Sequence, residues 1–270
     1  MPYANNHGIR LHYQVEGEGP PLVLQHGFSD SLESWYEMGY VTPLKQDYRL
    51  ILIDARGHGA SDKPHDPAAY TLQQHAADVV AVLDALAIPA AHFFGYSMGG
   101  RIGFALAKYV PTRFPTLIMS GASPYGAPRD IQDQFRWRLQ QGAAAFLGLW
   151  EQEGTISPAL KARILANDMA ALSALWTTRM AESTSLEDVP PTMTQSCLLM
   201  AGTQDWSYKD IEECSKHIPQ VTFVPLPDLN HLEGFCRSDL VLPHITQFLA
   251  TLPCGGTEGS KGDVERSAER

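Results

Sequence analysis

The sequence contains little cysteine, and its cysteines are not spaced for a metal site or a disulfide framework. All four lie in the C-terminal third of the chain, without C-x-x-C spacing and without a matching pair of histidines. Zinc sites and the disulfide frameworks of secreted proteins depend on such spacing. We therefore expect reduced thiols that pack as small apolar side chains at Cys197, Cys214, Cys236 and Cys254.

Positive charge is scarce as well. Twenty Lys and Arg residues stand against 30 Asp and Glu, which gives a formal net charge of −10. Without a basic patch, a nucleic-acid partner and an anionic membrane surface are both disfavoured. No apolar run is long enough to span a bilayer, and residues 1–7 lack the pattern of a secretion signal. We expect a cytoplasmic monomer or homodimer that acts on a small molecule.

Apolar residues are abundant, and their spacing predicts alternating strands and helices. The chain has 270 residues with 44% hydrophobic content, enough for one large α/β domain. Predicted strands cover residues 9–15, 21–25, 50–53, 91–95, 116–120, 197–201 and 221–224. Predicted helices cover residues 34–46, 72–86 with Thr71 as N-cap, 102–109, 207–217 and 240–250. This alternation indicates a doubly wound, mostly parallel sheet with helices on both faces.

One region interrupts the alternation. Residues 125–189 contain helical patterns rich in aromatic residues and no convincing strand. A helical insertion between two strands of such a sheet usually caps the strand ends, where ligands bind. The alternative is that these aromatic side chains only form a small core within the insertion. We predict a core of residues 1–124 and 190–252, a helical lid of residues 125–189 and a disordered tail of residues 253–270.

The pentapeptide Gly95-Tyr96-Ser97-Met98-Gly99 follows a predicted strand and precedes a predicted helix. In that context a G-x-S-x-G pattern forms a strained turn, which exposes the serine hydroxyl at the N-terminus of the helix. Glycines are needed on both sides because side chains there would collide with the strand and the helix. The pattern predicts that Ser97 is a nucleophile.

A serine hydroxyl needs a base to take its proton, and the base needs an acid to orient it. His231 lies in a short loop between a predicted strand and the last predicted helix, and Asp205 follows the strand at 197–201. The order Ser97, Asp205, His231 therefore suits a catalytic triad. Competing acids are Asp228, Glu233 and Asp54. The first two are too close to His231 in sequence, and Asp54 is better explained as the hydrogen-bonding anchor of its own glycine-rich loop.

An oxyanion formed at Ser97 would need two N–H donors. The backbone amide of Met98, at the start of the helix, is one candidate, and that of Phe28, in the turn after the strand at 21–25, is the other. Gly27 suits a turn that places the Phe28 amide as an oxyanion donor, but it also suits an ordinary tight turn. The sequence alone does not separate these two interpretations.

Together these motifs resemble the α/β-hydrolase superfamily over residues 9 to about 252. The motifs are His26-Gly27-Phe28, Asp54-Ala55-Arg56-Gly57-His58-Gly59, Gly95-Tyr96-Ser97-Met98-Gly99-Gly100, Gly202-Thr203-Gln204-Asp205 and Asn230-His231. The resemblance implies an eight-stranded sheet, a helical lid and acyl transfer through an acyl-enzyme on Ser97. Within the superfamily the chain resembles the small carboxylesterases and lactonases, including those acting on enol-lactones and acyl homoserine lactones, and the motifs do not distinguish among these. The implied substrate is an ester or lactone, and no cofactor or metal is required.

Five residues are candidates for substrate binding: Tyr96, Arg101, Trp137, Trp150 and Trp206. Arg101 also suggests a different reaction, because Gly95-Tyr96-Ser97-Met98-Gly99-Gly100-Arg101 resembles the menaquinone-pathway synthase that eliminates pyruvate. In that family the arginine helps to bind carboxylates, and Arg136 and Arg138 of the lid would assist. Arg101 is otherwise a solvated or salt-bridged helix residue. A third hypothesis is a receptor or signalling module that retains the triad.

Overall fold

The computed structural model describes residues 2–183 and 185–252. Its strands are β1 Tyr3–Asn6, β2 Ile9–Glu16, β3 Pro21–Gln25, β4 Arg49–Ile53, β5 His92–Tyr96, β6 Thr116–Ser120, β7 Ser196–Gly202 and β8 Val221–Leu226. Its helices are α1 Glu33–Glu37, α2 Val41–Leu44, α3 Leu72–Ala85, α4 Met98–Tyr109, α5 Arg129–Gln141, α6 Ala143–Glu153, α7 Pro158–Leu165, α8 Met169–Ala181, α9 Tyr208–Ser215, α10 Glu233–Cys236 and α11 Ser238–Ala250. Short 3₁₀ turns occupy Pro67–Tyr70, Pro111–Arg113 and Pro190–Thr192.

The strands form one eight-stranded sheet in the order β1-β2-β4-β3-β5-β6-β7-β8. The pairs β1–β2 and β2–β4 are antiparallel, and the other five pairs are parallel. This confirms the predicted fold class. Because the parallel strands all run the same way, the loops after β3, β5, β7 and β8 leave the sheet at one edge, where ligands bind in such folds.

Both faces of the sheet are covered, and β4 shows how the sequence specifies this. Leu50 and Leu52 are fully buried in one apolar cluster, which also contains residues of α1, α2 and α11. Ile51 and Ile53 point to the opposite face and join a second cluster, which contains residues of α3 and α4. A continuous run of apolar residues is therefore needed, because successive side chains of a strand alternate between faces.

The start of α3 agrees with the predicted N-cap. Thr71 Oγ1 accepts a hydrogen bond of 3.3 Å from Gln74 N, and Gln74 Oε1 accepts one of 3.1 Å from Thr71 N. The two bonds form a capping box, which satisfies amides that have no partner within the helix. The prediction of a helix beginning after Thr71 is confirmed.

Three details of the predicted elements were wrong. Strand β1 was not predicted; it pairs with β2 across His7 and Gly8, both of which have positive φ. The single helix expected at residues 34–46 is two short helices, α1 and α2, separated near Gly39, whose φ is +81°. Helix α4 starts at Met98 rather than at Ile102. Glycines at its first turn concealed the apolar spacing there.

Helices α5 to α8 lie between β6 and β7, within the segment predicted to be a lid. Arg163 of α7 connects this insertion to the loop after β3 and to α1, through ion pairs of 2.9 Å with Asp30 and 2.6 Å with Glu37. Asn167 Nδ2 adds a hydrogen bond of 2.7 Å to Ser29 O. The exact limits of the lid stay a prediction.

Among the described residues, Cys197 and Cys214 are buried free thiols and Cys236 is a partly exposed one. Burial raises the pKa of each to about 12. Cys254 and the predicted tail of residues 253–270 lie outside the described residues. No helix in the described part of the chain is long and apolar enough to cross a membrane.

Candidate active site

Ser97 occupies the sharp turn between β5 and α4 that the pentapeptide predicts. Its φ of 52° and ψ of −109° are unusual for a residue with a side chain. Two backbone hydrogen bonds fix the turn: Ser97 N donates to Ser120 O at 2.8 Å, and Arg101 N donates to Ser97 O at 3.0 Å. The strained backbone is therefore fixed by its neighbours in the sheet and the helix.

The glycines of the pentapeptide are required by space. A Cβ added to Gly95 would lie 2.2 Å from the carbonyl oxygen of Gly99. A Cβ added to Gly99 would lie 2.1 Å from the carbonyl oxygen of Gln25, in the neighbouring strand β3. Both obstacles are backbone atoms, so neither can swing aside. Close contact between α4 and the sheet therefore depends on the absence of these side chains.

The structure brings Ser97, His231 and Asp205 together. His231 Nε2 lies 3.0 Å from Ser97 Oγ, and His231 Nδ1 lies 2.8 Å from Asp205 Oδ2. Asp205 comes from the loop after β7, and His231 from the loop between β8 and α10. Both side chains are about 2% exposed. A chain of hydrogen-bonding distances thus runs from a buried carboxylate to the hydroxyl at the turn.

Asp205 is also bound to Ser207. Its Oδ1 accepts hydrogen bonds from Ser207 N at 2.8 Å and from Ser207 Oγ at 2.7 Å, which leaves Oδ2 for His231. Burial alone would raise the pKa of Asp205. The charge of His231 and the hydrogen bonds from His231 and Ser207 outweigh burial and lower that pKa below its usual value. Asp205 is therefore an ionised, oriented partner for the imidazole.

The loop after β3 carries the predicted second oxyanion donor. Phe28 and Met98 both line cavities that border Ser97. The amide of Phe28 donates to no described residue. Met98 is the first residue of α4, so its amide has no acceptor within the helix. Both predicted donors are thus near Ser97, and their role in binding an oxyanion stays a prediction.

Two buried histidines, whose roles the sequence did not reveal, position this loop. His26 Nε2 accepts from Ala55 N at 3.1 Å, and His26 Nδ1 lies 2.7 Å from Gly27 O. His58 Nε2 accepts from Ser29 N at 3.1 Å. Burial lowers the pKa of His58 well below its ordinary value, which suits a neutral ring with one accepting nitrogen. The glycine-rich motif after β4 therefore supports the loop after β3.

Asp54 anchors the same loops, as predicted. Its Oδ1 accepts from Leu32 N at 2.8 Å, and its Oδ2 accepts from Ala60 N at 2.9 Å. His12 Nδ1 lies 2.7 Å from Oδ2. Asp54 therefore serves the glycine-rich loop and its neighbour, and it does not contact His231.

Two cavities border Ser97 and are mainly apolar. Phe28, Ser97 and Trp150 line both of them. The first cavity is further lined by Gly27, Ser29, Asp30, Tyr96, Leu160, Ile164, Leu232 and Phe235. The second, on the side of His231, is further lined by Met98, Ile131, Phe135, Trp176, Arg179 and Trp206. Helices α5 to α8 thus supply much of the wall around the hydroxyl of Ser97.

Three of the predicted substrate-binding residues surround the site. Tyr96 donates a hydrogen bond through its hydroxyl to His231 O and stacks on Phe235 at 4.6 Å between ring centroids. Trp206 lies 5.1 Å from the His231 ring, and Trp150 lies nearly parallel to that ring at 6.2 Å. Tyr96 therefore also fixes the backbone of the histidine loop.

The other two predicted binders lie elsewhere. Arg101 is buried on α4, and its guanidinium donates to five backbone carbonyls, those of Ser123, Pro124, Tyr125, Glu182 and Ser183. Trp137 is 56% exposed on α5 and lines neither cavity at Ser97. The exposure of Trp137 could have been inferred from the sequence. Phe135 and Leu139, four residues apart, form the inner face of α5, and Trp137 lies between them on the opposite side of the helix.

Sequence reasoning missed Arg179, which lines the second cavity. No motif contains it. In the part of the chain that the structure describes, no group of three or more histidine, cysteine, aspartate or glutamate side chains is arranged to hold a metal ion.

A family model described as the alpha/beta hydrolase fold matches residues 20–182. The 3-oxoadipate enol-lactonase 2 of Acinetobacter baylyi is 32% identical over 209 residues, which cover 73% of this chain and 76% of that protein. A putative 2-succinyl-6-hydroxy-2,4-cyclohexadiene-1-carboxylate synthase of Bacillus subtilis is 33% identical over 156 residues. That match covers 53% of this chain and spans only 55% of the synthase. The crystal structure of the enol-lactonase of Burkholderia xenovorans has a TM-score of 0.81 and 26% identity, covering 92% of this chain and 100% of that one.

Proposed function

Because this chain belongs to the alpha/beta hydrolase family, we propose that it is a serine hydrolase of carboxylic esters or lactones. The observation that carries this proposal is the line of contacts from Ser97 Oγ to His231 Nε2 at 3.0 Å and from His231 Nδ1 to Asp205 Oδ2 at 2.8 Å. Relatives named as enol-lactonases support the same reaction class.

In the first step, Ser97 Oγ attacks the carbonyl carbon and its proton passes to His231 Nε2. Asp205 Oδ2 accepts a hydrogen bond from the Nδ1–H of His231 without taking the proton, which fixes the tautomer and stabilises the positive imidazolium. The lowered pKa of Asp205 suits this role, because the carboxylate stays charged while the imidazole gains its proton.

The developing oxyanion binds to the amides of Phe28 and Met98. Each such donor typically stabilises the transition state by about 2.7–4 kcal/mol. His231 then gives its proton to the departing alkoxide, which leaves an acyl-enzyme ester on Ser97. In a lactone the alcohol produced remains part of the acyl group. Water, activated by His231, attacks that ester in the second half-reaction and releases the acid.

The cavities favour small to medium acyl groups with apolar surface. Their walls are mainly aromatic and aliphatic side chains from the loop after β3 and from the lid helices. Such walls exclude water from the reacting carbonyl. An ester or lactone bond is the fitting target, because an alkoxide leaves more readily than an amide nitrogen.

The test is the hydrolysis of p-nitrophenyl acetate and butyrate, compared with a small lactone. We expect turnover by the wild type and a loss of about 10⁴-fold or more in kcat for Ser97→Ala. Intact-mass measurement after treatment with a fluorophosphonate should show one adduct, located on Ser97. Unchanged turnover in Ser97→Ala would refute the assignment. No turnover and no adduct in the wild type would favour a receptor that retains the three residues.

The synthase-like lyase remains the second candidate, since the Bacillus relative is 33% identical over its matched segment. That hypothesis depended on Arg101 as a carboxylate ligand. The guanidinium of Arg101 instead donates to five carbonyls and lines neither cavity at Ser97. Release of pyruvate from the synthase substrate, with negligible ester hydrolysis, would favour the lyase over the hydrolase.

A further inference from the structure

Arg179 of α8 lacks a partner for its charge. Its guanidinium forms no hydrogen bond and no ion pair with any described residue; the residue as a whole is partly exposed, and its Nε is completely buried. Its one contact of note is with Trp176, one turn earlier on the helix, whose ring centroid lies 5.5 Å from the guanidinium carbon. A partly buried cation without a counter-charge is costly to a folded protein unless something else supplies an opposite charge.

The charged residues near Arg179 do not supply this opposite charge. Arg101 and Glu182 line a third cavity together with Arg179. Glu182 Oε2 accepts from Leu72 N at 2.8 Å, and the charge of Glu182 acts on Arg101. Burial, and then the positive charge of Arg101, lower the pKa of Arg179 to about 9, so it still carries its charge at neutral pH. Both terminal nitrogens of Arg101 donate to backbone carbonyls, whereas the guanidinium of Arg179 donates to no described residue.

The cavity that Arg179 shares with Ser97 and His231 has other unused donors. The indole Nε1 atoms of Trp150 and Trp176 are buried and have no acceptor among the described residues. Both residues line this cavity. An indole N–H and a guanidinium donate hydrogen bonds and accept none. The remaining wall, with Phe28, Ile131, Phe135 and Trp206 among its members, is largely apolar, so this cavity wall offers donors and a positive charge but no carboxylate.

We propose that the substrate carries a carboxylate, apart from the bond to be cleaved, and that Arg179 binds it within this cavity. The inference rests on the proposed function and refines its substrate class to esters or lactones with a second, anionic group. A planar guanidinium suits a carboxylate because it can donate two parallel hydrogen bonds. The positive charge is local: the whole chain carries a net charge of −10.

Matched substrates test the proposal. On the acyl side, mono-p-nitrophenyl adipate is compared with p-nitrophenyl adipamate, which replaces the carboxylate by an amide of the same shape. On the alcohol side, 4-acetoxybutanoate is compared with 4-acetoxybutanamide. In one of the two pairs we expect kcat/KM to be about 10- to 100-fold higher for the anion, the range of a charge-assisted hydrogen-bonded pair. The pair that responds identifies which side of the ester carries the carboxylate.

Variants assign the preference to Arg179. Arg179→Gln should reduce the ratio between anion and amide to less than about threefold, while Arg179→Lys retains part of it. The control is Lys161→Gln, which removes an exposed cation from the neighbouring helix α7 and should leave the ratio unchanged. A purely structural role for Arg179 predicts a lower melting temperature in Arg179→Gln. Removal of an unpaired, partly buried charge should instead leave the melting temperature equal or higher.

The outcomes separate this inference from the hydrolase assignment. If the amide substrates are cleaved in a Ser97-dependent way and neither pair shows a preference for the anion, the hydrolase stands and the carboxylate site is refuted. If no ester is cleaved, calorimetric titration with adipate and with adipamide still tests the site. Tighter binding of adipate that is lost in Arg179→Gln supports it, and equal binding refutes it.

Discussion

Replacing Asp205 with Asn changes one atom of the candidate triad and reverses one hydrogen bond. In the wild type, Oδ1 accepts two hydrogen bonds from Ser207, at 2.8 and 2.7 Å. Because Ser207 N and Ser207 Oγ both donate to this position, the amide oxygen of Asn must take the place of Oδ1. The amide NH₂ then faces His231 Nδ1, which has to accept. The imidazole proton is thereby moved to Nε2, where it faces Ser97 Oγ and blocks proton transfer from the hydroxyl.

The expected loss of activity follows from this unproductive tautomer of His231. In a serine hydrolase the corresponding change lowers kcat by about 10⁴-fold. That loss equals about 5 kcal/mol of activation free energy. Because the hydrogen bonds to Ser207 persist, the fold should change little, with a shift in melting temperature of less than about 5 °C. We therefore expect Asp205→Asn to lower kcat strongly while the melting temperature changes little.

The assay is p-nitrophenyl butyrate hydrolysis under saturating substrate, with thermal unfolding followed by circular dichroism. Asp228→Asn is the matched control, since it makes the same chemical change in the loop that carries His231. The φ of Asp228 is 59°, a conformation that Asn adopts readily, so the Asp228→Asn variant should keep wild-type activity. An Asp205→Asn variant with more than a tenth of wild-type kcat would refute the assigned role of Asp205. So would an equal loss in Asp228→Asn.

Two further predictions concern stability. Gly99→Ala should unfold at a lower temperature and lose activity, at a cost of about 1–3 kcal/mol or more, because the new Cβ would lie 2.1 Å from Gln25 O. Gly234→Ala, where a Cβ meets nothing within 4 Å, should be neutral or slightly stabilising in the same thermal scan. Burial lowers the pKa of His75 to about 3, so below pH 6.5 the unfolded chain binds a proton there that the folded chain does not. Stability should therefore fall as the pH falls from 6.5 towards 3, and His75→Leu should reduce that dependence by up to about 1.4 kcal/mol per pH unit in urea titrations; an unchanged slope would contradict this.

Features set by neighbouring residues were predictable from the sequence. The strand before Ser97, the turn around it and the cap at Thr71 depend on residues within a few positions, so the sequence located them. The pairing of β1 with β2 also uses neighbours, but its alternation of Tyr3, Ala4, Asn5 and Asn6 is too short and too polar to be recognised. The break at Gly39 was missed because the apolar spacing continues across it.

Features that depend on packing between distant elements were not predictable. Arg101 and Arg179 look alike in the sequence, and only the contacts of their helices distinguish them. One guanidinium meets a ring of carbonyls from two loops, while the other meets the face of Trp176 and an apolar cavity. Candidate catalytic residues follow strand ends and can be inferred from topology, whereas the walls of the cavity come from α5 to α8, whose packing the sequence does not specify.

The strained turn at Ser97 has a consequence for how this chain can evolve. Its geometry is fixed by backbone contacts with β3, β6 and α4, and none of these involves helices α5 to α8. Helices α5 to α8 supply much of the cavity wall. We therefore expect mutations that alter these helices to leave Ser97 in place, so that the cavity can change while the turn at Ser97 is inherited intact.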